Sequence, residues 1–365
     1  MSPIPVRLGL QQRVLPEYRA PFFDMLAGAC PKGLGVFAGE ARAEEAIKTV
    51  RLLNKAVFFP ARNIHIPVRK SYALLQAGFL DWLKIWQPEA LIVEANSRYL
   101  STPFAVRWMH DHHYPVIGWG LGVKTSSRLG NALRENFLSS LDAVIAYSQK
   151  GAEEYLAAGI PEKKVFIAPN AVAPRPLHGP VTRPDVYENG KPTILYVGRL
   201  QARKRLDVLL ESCCYLPQAL KPHVIIVGDG PEMDSLKQMS AKFYPDTEFA
   251  GAKHGEELEP YFLRADLFVL PGTGGLAVQQ AMAHSLPVLV GEADGTQSEL
   301  VRPENGWILK ETFVPALSEA LENALQSPVQ LRKMGVASHR IVSDEVNLEK
   351  MVEAFTDAVN SVLAG

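Results

Sequence analysis

Residues 193–212 read TILYVGRLQARKRLDVLLES, and the architecture follows from how this stretch is parsed. An apolar, partly β-branched run ends at Gly198, and the pattern then turns helical over 204–214. A short apolar run closed by glycine and charge is the mark of a strand buried on both faces of a parallel sheet. Gly198 lets backbone approach a ligand closely. Arg199 lies in the loop and Lys204 opens the predicted helix. A guanidinium fork and a point-charge ammonium at a strand's carboxyl end suit a diphosphate, and a helix N-terminus adds its own partial positive charge. Taken alone, the cluster also fits a solvated basic turn.

The same alternation runs along the whole chain. Strands are expected at 6–11, 35–39, 56–59, 90–94, 115–119, 143–147 and 165–168, with helices at 20–29, 73–86, 103–110 and 150–158 between them. Residues 170–192 break the pattern with a run dense in Pro and Gly. Beyond it strands are expected at 193–197, 224–227, 248–250, 267–270, 287–290 and 307–309, with helices at 204–214, 231–242, 255–265 and 276–283 and a helical tail over 314–363. Strand–helix alternation predicts α/β architecture: two doubly wound parallel-sheet domains, with ligands in a cleft at the carboxyl ends of the strands. The expected boundaries are 1–170, a linker 171–192, 193–345 and a final helical segment 346–365.

Two further glycine clusters follow predicted strands. Gly228-Asp229-Gly230-Pro231 is a Gly-x-Gly turn, weak as a signal because any tight strand-to-helix turn can use it. Pro271-Gly272-Thr273-Gly274-Gly275-Leu276 precedes a helix, and its bare backbone amides could face anionic oxygens. Thr273 adds a hydroxyl, and Gln280 lies one helical turn beyond Leu276, facing the loop.

In order and spacing these clusters resemble the C-terminal domain of glycosyltransferase family 4, retaining enzymes of the GT-B fold. The resemblance rests on the opening stretch and on VIIVGDGPEMDSL (224–236), residues 247–272, QAMAHSLPVLV (280–290) and GTQSELVRPENGWIL (295–309). In the first half, residues 145–172, PEYRAPFFDML (16–26) and PVIGWGLG (115–122) are similar to segments of the same family. The resemblance implies a nucleotide-diphosphate sugar as donor, its phosphates held by Arg199 and Lys204 with help from the backbone of residues 274–277. Gly198, Gly228 and Thr273 belong to the same donor site. The region of Gly251 and Lys253 would meet the nucleobase, and Glu299 matches an acidic residue often near the site. It also implies that the last helix packs back on the N-terminal, acceptor-binding domain.

The sequence departs from the family at three places. The family has a Glu, seven residues and a second Glu; here the positions are Gly272 and Gln280. Where a histidine is usual, Trp119-Gly120-Leu121-Gly122 carries Leu121. The resemblance therefore implies either an active hexosyltransferase with an altered sugar pocket, whose activity rises when Glu is restored at 272 and 280, or a non-catalytic GT-B protein that binds a nucleotide or a partner glycosyltransferase.

The acceptor candidates lie in the first half. Gln12 and Arg13 follow the first predicted strand; Glu94, Asn96 and Arg98 follow another; Lys124 follows the Leu121 loop. Tyr18, Arg19 and the Phe22–Phe23 pair suggest an acceptor- or membrane-facing helix, although aromatics at helical spacing more often form core. The acceptor is expected to be a glycan or a lipid-linked sugar.

Net charge is −1, which argues against nucleic acid as a partner. Residues 1–170 hold 20 Lys/Arg against 14 Asp/Glu, so a peripheral contact with an anionic membrane face is one reading of that half. No apolar run is long enough to span a bilayer. Three cysteines, two of them adjacent, give neither a disulfide framework nor a zinc spacing, and a cytoplasmic protein is expected. No metal and no cofactor beyond the donor are expected: His110-Asp111-His112-His113 is too tightly spaced for metal ligands and reads as a polar helix end.

Overall fold

A computed structural model describes residues 2–42, 45, 47–68, 71–123, 128–274, 276–292 and 297–364. The chain divides into two compact units, one of residues 1–172 with 348–365, the other of residues 173–347.

In the first unit seven parallel strands form one sheet: β1 (Leu8–Val14), β2 (Leu34–Gly39), β3 (Val57–Pro60), β6 (Ala90–Glu94), β7 (Val116–Gly120), β8 (Ala143–Ala146) and β9 (Val165–Ile167). Their order is β3-β2-β1-β6-β7-β8-β9, so the winding reverses between β1 and β6. Every residue of β2 and β8 is buried, as a sheet covered on both faces requires. The helices are α1 (Ala20–Gly28), α2 (Phe79–Trp86), α3 (Thr102–Asp111), α4 (Arg128–Ser139), α5 (Gln149–Ala157) and the last helix of the chain, α13 (Leu348–Ala364).

One expected element is wrong in part. The sequence reads as a helix over 73–86, but only its second half is α2. Residues Ser71–Ala77 form strand β5, antiparallel to β4 (Arg62–Val68). Gly78, with φ 85°, ends the strand and opens α2. The alternation Leu74 and Gln76 inward is a two-residue period, which the apolar outward neighbours Ala73, Leu75 and Ala77 conceal.

The second unit has six parallel strands: β10 (Thr193–Val197), β11 (His223–Val227), β12 (Thr247–Gly251), β13 (Leu267–Leu270), β14 (Val288–Gly291) and β15 (Gly306–Leu309). Their order, β12-β11-β10-β13-β14-β15, again reverses beside the first strand, between β10 and β13. Helices α6 (Leu206–Cys214), α7 (Met233–Phe243), α8 (Glu259–Arg264), α9 (Ala277–Ala283), α10 (Gln297–Leu300), α11 (Val314–Leu325) and α12 (Pro328–Asp344) complete it. The irregular run before β10 is anchored rather than loose. Arg183 donates to the carbonyls of Phe262, Ala265, His284 and Ser285, and burial pulls its pKa down to about 10.

Helix α13 packs on α1, β8 and β9. Phe355 is fully buried, with its ring 4.9 Å from Phe22 and 4.9 Å from Trp119. Edge-on aromatic packing of this kind adds to the area each ring removes from water. Phe355→Ala should therefore cost the first unit about 3–5 kcal/mol, read as a lower denaturation midpoint at unchanged slope. A loss below about 1 kcal/mol would mean that α13 contributes little to that core.

Candidate functional site

In an open α/β sheet, ligands bind where the strand order reverses, beyond the carboxyl ends. Both units carry chemistry at that place.

In the second unit the loops after β10, β11 and β12 are laced backbone to backbone. Gly198 N donates to Val227 O at 2.9 Å, Leu200 N to Asp229 O at 2.9 Å, and Gly228 N to Gly251 O at 2.8 Å. A Cβ placed on Gly228 would fall 1.9 Å from Gly198 O. Gly228 is thus first a packing glycine, required for the loops to approach. Arg199 is exposed, and its carbonyl accepts from Tyr196 Oη at 3.0 Å, so a buried ring fixes the loop that carries it.

The loops at the switch point itself lock together. The helix expected from Lys204 begins at Leu206: residues Ala202–Lys204 form a 3-10 turn, and Arg205 takes a left-handed conformation with φ 56°. That turn drives Lys204 inward to 6% exposure. Its Nζ donates to Thr273 O at 2.6 Å, Arg203 Nη1 donates to the same carbonyl at 3.3 Å, and Thr273 N donates back to Arg203 O at 3.1 Å. Burial, and then the neighbouring Arg203 charge, push the Lys204 pKa down to about 8. A Cβ on Gly274 would sit 3.4 Å from Arg203 Nη1 and 3.5 Å from Lys204 Nζ. The side-chain space that glycine leaves open is therefore bordered by two cationic nitrogens. Arg203 is the member of this group that the sequence reading missed; only its position before Lys204 could have suggested it.

Of the other expected donor residues, Gly251 ends β12 with φ 71°, and Lys253 follows, its Nζ 3.8 Å from the Glu257 carboxylate. Thr273 is exposed, Leu276 precedes α9, and Gln280 is half-buried on that helix. Glu299 lies on α10, after β14, and its carbonyl accepts from Arg302 at 3.4 Å. Gly275 lies outside the described residues, as does Lys124 of the acceptor candidates.

In the first unit a cavity of about 710 Å³ opens beyond β1, β6 and β7, and Gln12, Arg13, Glu94, Asn96, Arg98 and Leu121 all line it. Gln12 and Arg13 were read as a loop after β1. They lie within it, at a register shift between Gln12 and Val14 that turns Arg13 out of the ladder. Arg13 N donates to Glu94 Oε1 at 2.6 Å, and its guanidinium pairs with Glu45 at 2.7 Å. Tyr99 Oη donates to Glu94 Oε2 at 2.7 Å, yet burial outweighs these contacts and pushes the Glu94 pKa up. Asn96 Oδ1 accepts from Arg98 N at 3.1 Å, and Leu121 is half exposed at the wall.

Arg19, Tyr147 and Arg134 also line the cavity. The expectation that Arg19 and Phe22–Phe23 face an acceptor or a membrane divides here. Phe22 and Phe23 are core, whereas Arg19 is buried against the cavity, its Cζ 5.5 Å from the Trp119 ring and 5.8 Å from that of Tyr147. It donates to Ala171 O at 3.1 Å and to Asn170. Among the described residues no group of three His, Cys, Asp or Glu is placed to hold a metal ion; His110 instead contacts Asp142 and His112 the Trp108 carbonyl.

Gly272 has a role that its place in the sequence did not suggest. A Cβ there would lie 2.0 Å from Arg203 O and 2.5 Å from Lys204 Cα. Restoring Glu at this position therefore breaks the lock instead of rebuilding a sugar contact. Gly272→Glu should destabilise the second unit by at least about 2 kcal/mol, whereas Gln280→Glu, on a half-buried helix face, should unfold at the wild-type midpoint. Equal midpoints for the two variants would show that the loop yields freely.

Residues 183–340 match the family model of glycosyl transferases group 1. The chain is 25% identical over 366 residues to a GDP-mannose-dependent monoacylated alpha-(1-6)-phosphatidylinositol monomannoside mannosyltransferase of Corynebacterium glutamicum, covering 93% of this chain and 92% of that one. It is 31% identical over 289 residues to a GDP-mannose-dependent alpha-mannosyltransferase of the same organism, covering 76% of this chain and 58% of that one. Among solved structures, Anabaena HepE in complex with UDP superposes with a TM-score of 0.71 at 14% identity, over 99% of this chain and 100% of that one. A glycosyltransferase of Rickettsia africae gives 0.73 at 14% identity, over 98% and 99%. The two parallel-sheet units, the family model over the second of them and these relatives together support a GT-B glycosyltransferase of the family 4 type.

Proposed function

We propose that the second unit holds a nucleotide-diphosphate sugar at the Arg199, Lys204 and Thr273–Leu276 loops, and that the first unit presents the acceptor from the cavity around Arg13 and Glu94. The observation that carries this reading is the buried Lys204 ammonium, which with Arg203 borders the side-chain position that Gly274 leaves unfilled. A desolvated cation gains most from an anion that restores the interactions it has lost. Mannose from GDP-mannose is the donor that the two corynebacterial relatives favour, since both are named as GDP-mannose-dependent. One of those names also specifies a phosphatidylinositol-linked acceptor, which supports a lipid-linked acceptor here and peripheral contact with the inner membrane face. No helix among the described residues is long and apolar enough to cross a membrane. The cavity lining agrees with an acceptor that carries negative charge: it holds Arg13, Arg19, Arg98 and Arg134, with Glu94 as the one carboxylate among the described lining residues.

In the proposed transfer the bond from the anomeric carbon to the leaving diphosphate breaks, and a bond to the acceptor hydroxyl oxygen forms with retention. The hydroxyl proton passes to the departing diphosphate oxygen. Lys204 and Arg199 stabilise the charge that develops on the diphosphate, a role that positive side chains fill without a metal ion or other cofactor.

Thermal denaturation with UDP, GDP, ADP, dTDP and their sugar conjugates tests the donor site. A nucleotide at 100 times its Kd should add about 2.7 kcal/mol of apparent stability, with GDP giving the largest shift. The double variant Arg199→Ala/Lys204→Ala should lose it. No shift with any nucleotide would remove the donor-site assignment.

The Lys204 pKa gives a second test. Its folded value lies near 8, below the usual 10.5. The ammonium is therefore present at pH 7 and lost as pH rises through about 8, whereas the diphosphate needs it charged. GDP affinity should fall between pH 7 and 9. Lys204→Met should bind weakly and show no such fall; a parallel decline in both proteins would place the titrating group elsewhere.

A further inference from the structure

The β4–β5 hairpin has its polarity inverted. In an antiparallel pair with one solvated face, that face is normally the polar one. Here Leu74 and Gln76 point into the unit and are buried. Gln76 Nε2 donates to Gln12 O at 3.0 Å and to Asn63 Oδ1 at 2.9 Å, and Gln76 N donates to Ser101 Oγ at 3.1 Å, which fixes the hairpin to the cavity wall. The opposite face carries Ile64, Ile66 and Val68, paired across to Leu75, Ala73 and Ser71. Those three β4 side chains are 37%, 40% and 50% exposed, and Val57 and Leu52 of the preceding segment are exposed as well. Strand β4 pairs only with β5, so its other edge carries no strand among the described residues.

Charge identifies what this face meets. Residues 47–80 contain Lys48, Arg51, Lys55, Arg62, Arg69 and Lys70 and no Asp or Glu. Lys48 and Arg51 are paired with Glu17 and Glu40, but Lys55 and Arg62 are exposed, and the chain joining the two strands reads Arg69-Lys70. On the inner face, Tyr72 packs under Arg42 at 4.6 Å and Arg98 at 5.9 Å, and Arg98 also lines the cavity. An apolar face set in an acid-free basic segment fits an anionic lipid surface, where side chains enter the acyl boundary and cations meet headgroups. A second protein copy would bring the same acid-free basic run on its own identical segment.

We propose that the β4–β5 hairpin is the element by which the chain docks on an anionic bilayer, with Ile64, Ile66 and Val68 inserted and the cavity mouth held at the headgroup level. The inference rests on the proposed membrane-side acceptor, but its test does not use transfer activity.

The experiment is sedimentation of the full chain with phosphatidylcholine vesicles and with vesicles containing about one-third phosphatidylglycerol. The wild type should pellet with the anionic vesicles and not with the neutral ones, and salt should release it. Ile64→Ser/Ile66→Ser/Val68→Ser should lower partitioning at least about tenfold, and Arg62→Ser should lower it less. Both variants should keep the wild-type midpoint and the wild-type stabilisation by GDP, because the hairpin is remote from the donor loops in sequence and lies in the other unit. Equal pelleting by the wild type and the triple variant overturns the proposal, as does a wild type that ignores anionic vesicles. A triple variant that changes only oligomeric state would make the face a self-association surface and overturn it too. Loss of the GDP response in the wild type would instead count against the donor reading and leave the vesicle result standing.

Discussion

The hydrogen bond from the buried Lys204 Nζ to the Thr273 carbonyl, 2.6 Å long, is the constraint around which the loops at the second unit's switch point are arranged. It joins the loop after β10 to the loop after β13, the two strands on either side of the reversal in strand order. A buried ammonium needs several acceptors, and one carbonyl does not replace a hydration shell. The lowered pKa expresses that deficit. An arriving diphosphate would complete the shell, so the lock that shapes the loop also leaves it short of negative charge.

The lock explains why glycines cluster here. Gly272 presses on the backbone of Arg203 and Lys204, and Gly228 on that of Gly198. These contacts let three strand ends converge, and the convergence places Arg203 and Lys204 beside Gly274. The glycines that look like a ligand loop in the sequence therefore divide. Some hold loops together, and Gly274 leaves room next to charge.

The parallel sheets were legible because each buried strand is a short apolar run bounded by glycine, proline or charge, and every strand of the two large sheets lies within a few residues of its expected position. The hairpin at 62–77 was not legible. In β4 the alternation is present, Asn63 and His65 between Ile64, Ile66 and Val68, but seven residues with a proline at 67 are a short signal, and in β5 Leu74, Leu75 and Phe79 run on into an amphipathic helix without a visible break except Gly78. Arg13 reaches the cavity from within β1 and not from a loop after it, since a register shift turns it out of the ladder and no sequence rule marks that shift. Arg203 was not singled out, and Arg19 only as part of an acceptor- or membrane-facing helix, because a cation's role depends on what it is buried against. Arg19 owes its place to rings and carbonyls from Tyr18, Trp119, Tyr147, Asn170 and Ala171, which no spacing along the chain brings together.

The departure at Gly272 then takes a different meaning from that of a lost ligand. A residue whose Cβ would strike backbone at 2.0 Å cannot have carried a Glu on this loop path. Either side chain or close approach can occupy the position, and this chain has the close approach. The loop path and the missing carboxylate are thus one feature, since the close approach that leaves no room for a side chain at 272 is also the one that puts Lys204 Nζ on the Thr273 carbonyl. Beside Lys204 the same loop carries Arg203, whose guanidinium reaches the Thr273 carbonyl and hydroxyl at 3.3 and 3.4 Å. On the proposed donor reading, two cations at one loop would grip the phosphates, the groups on which negative charge grows as the glycosidic bond breaks.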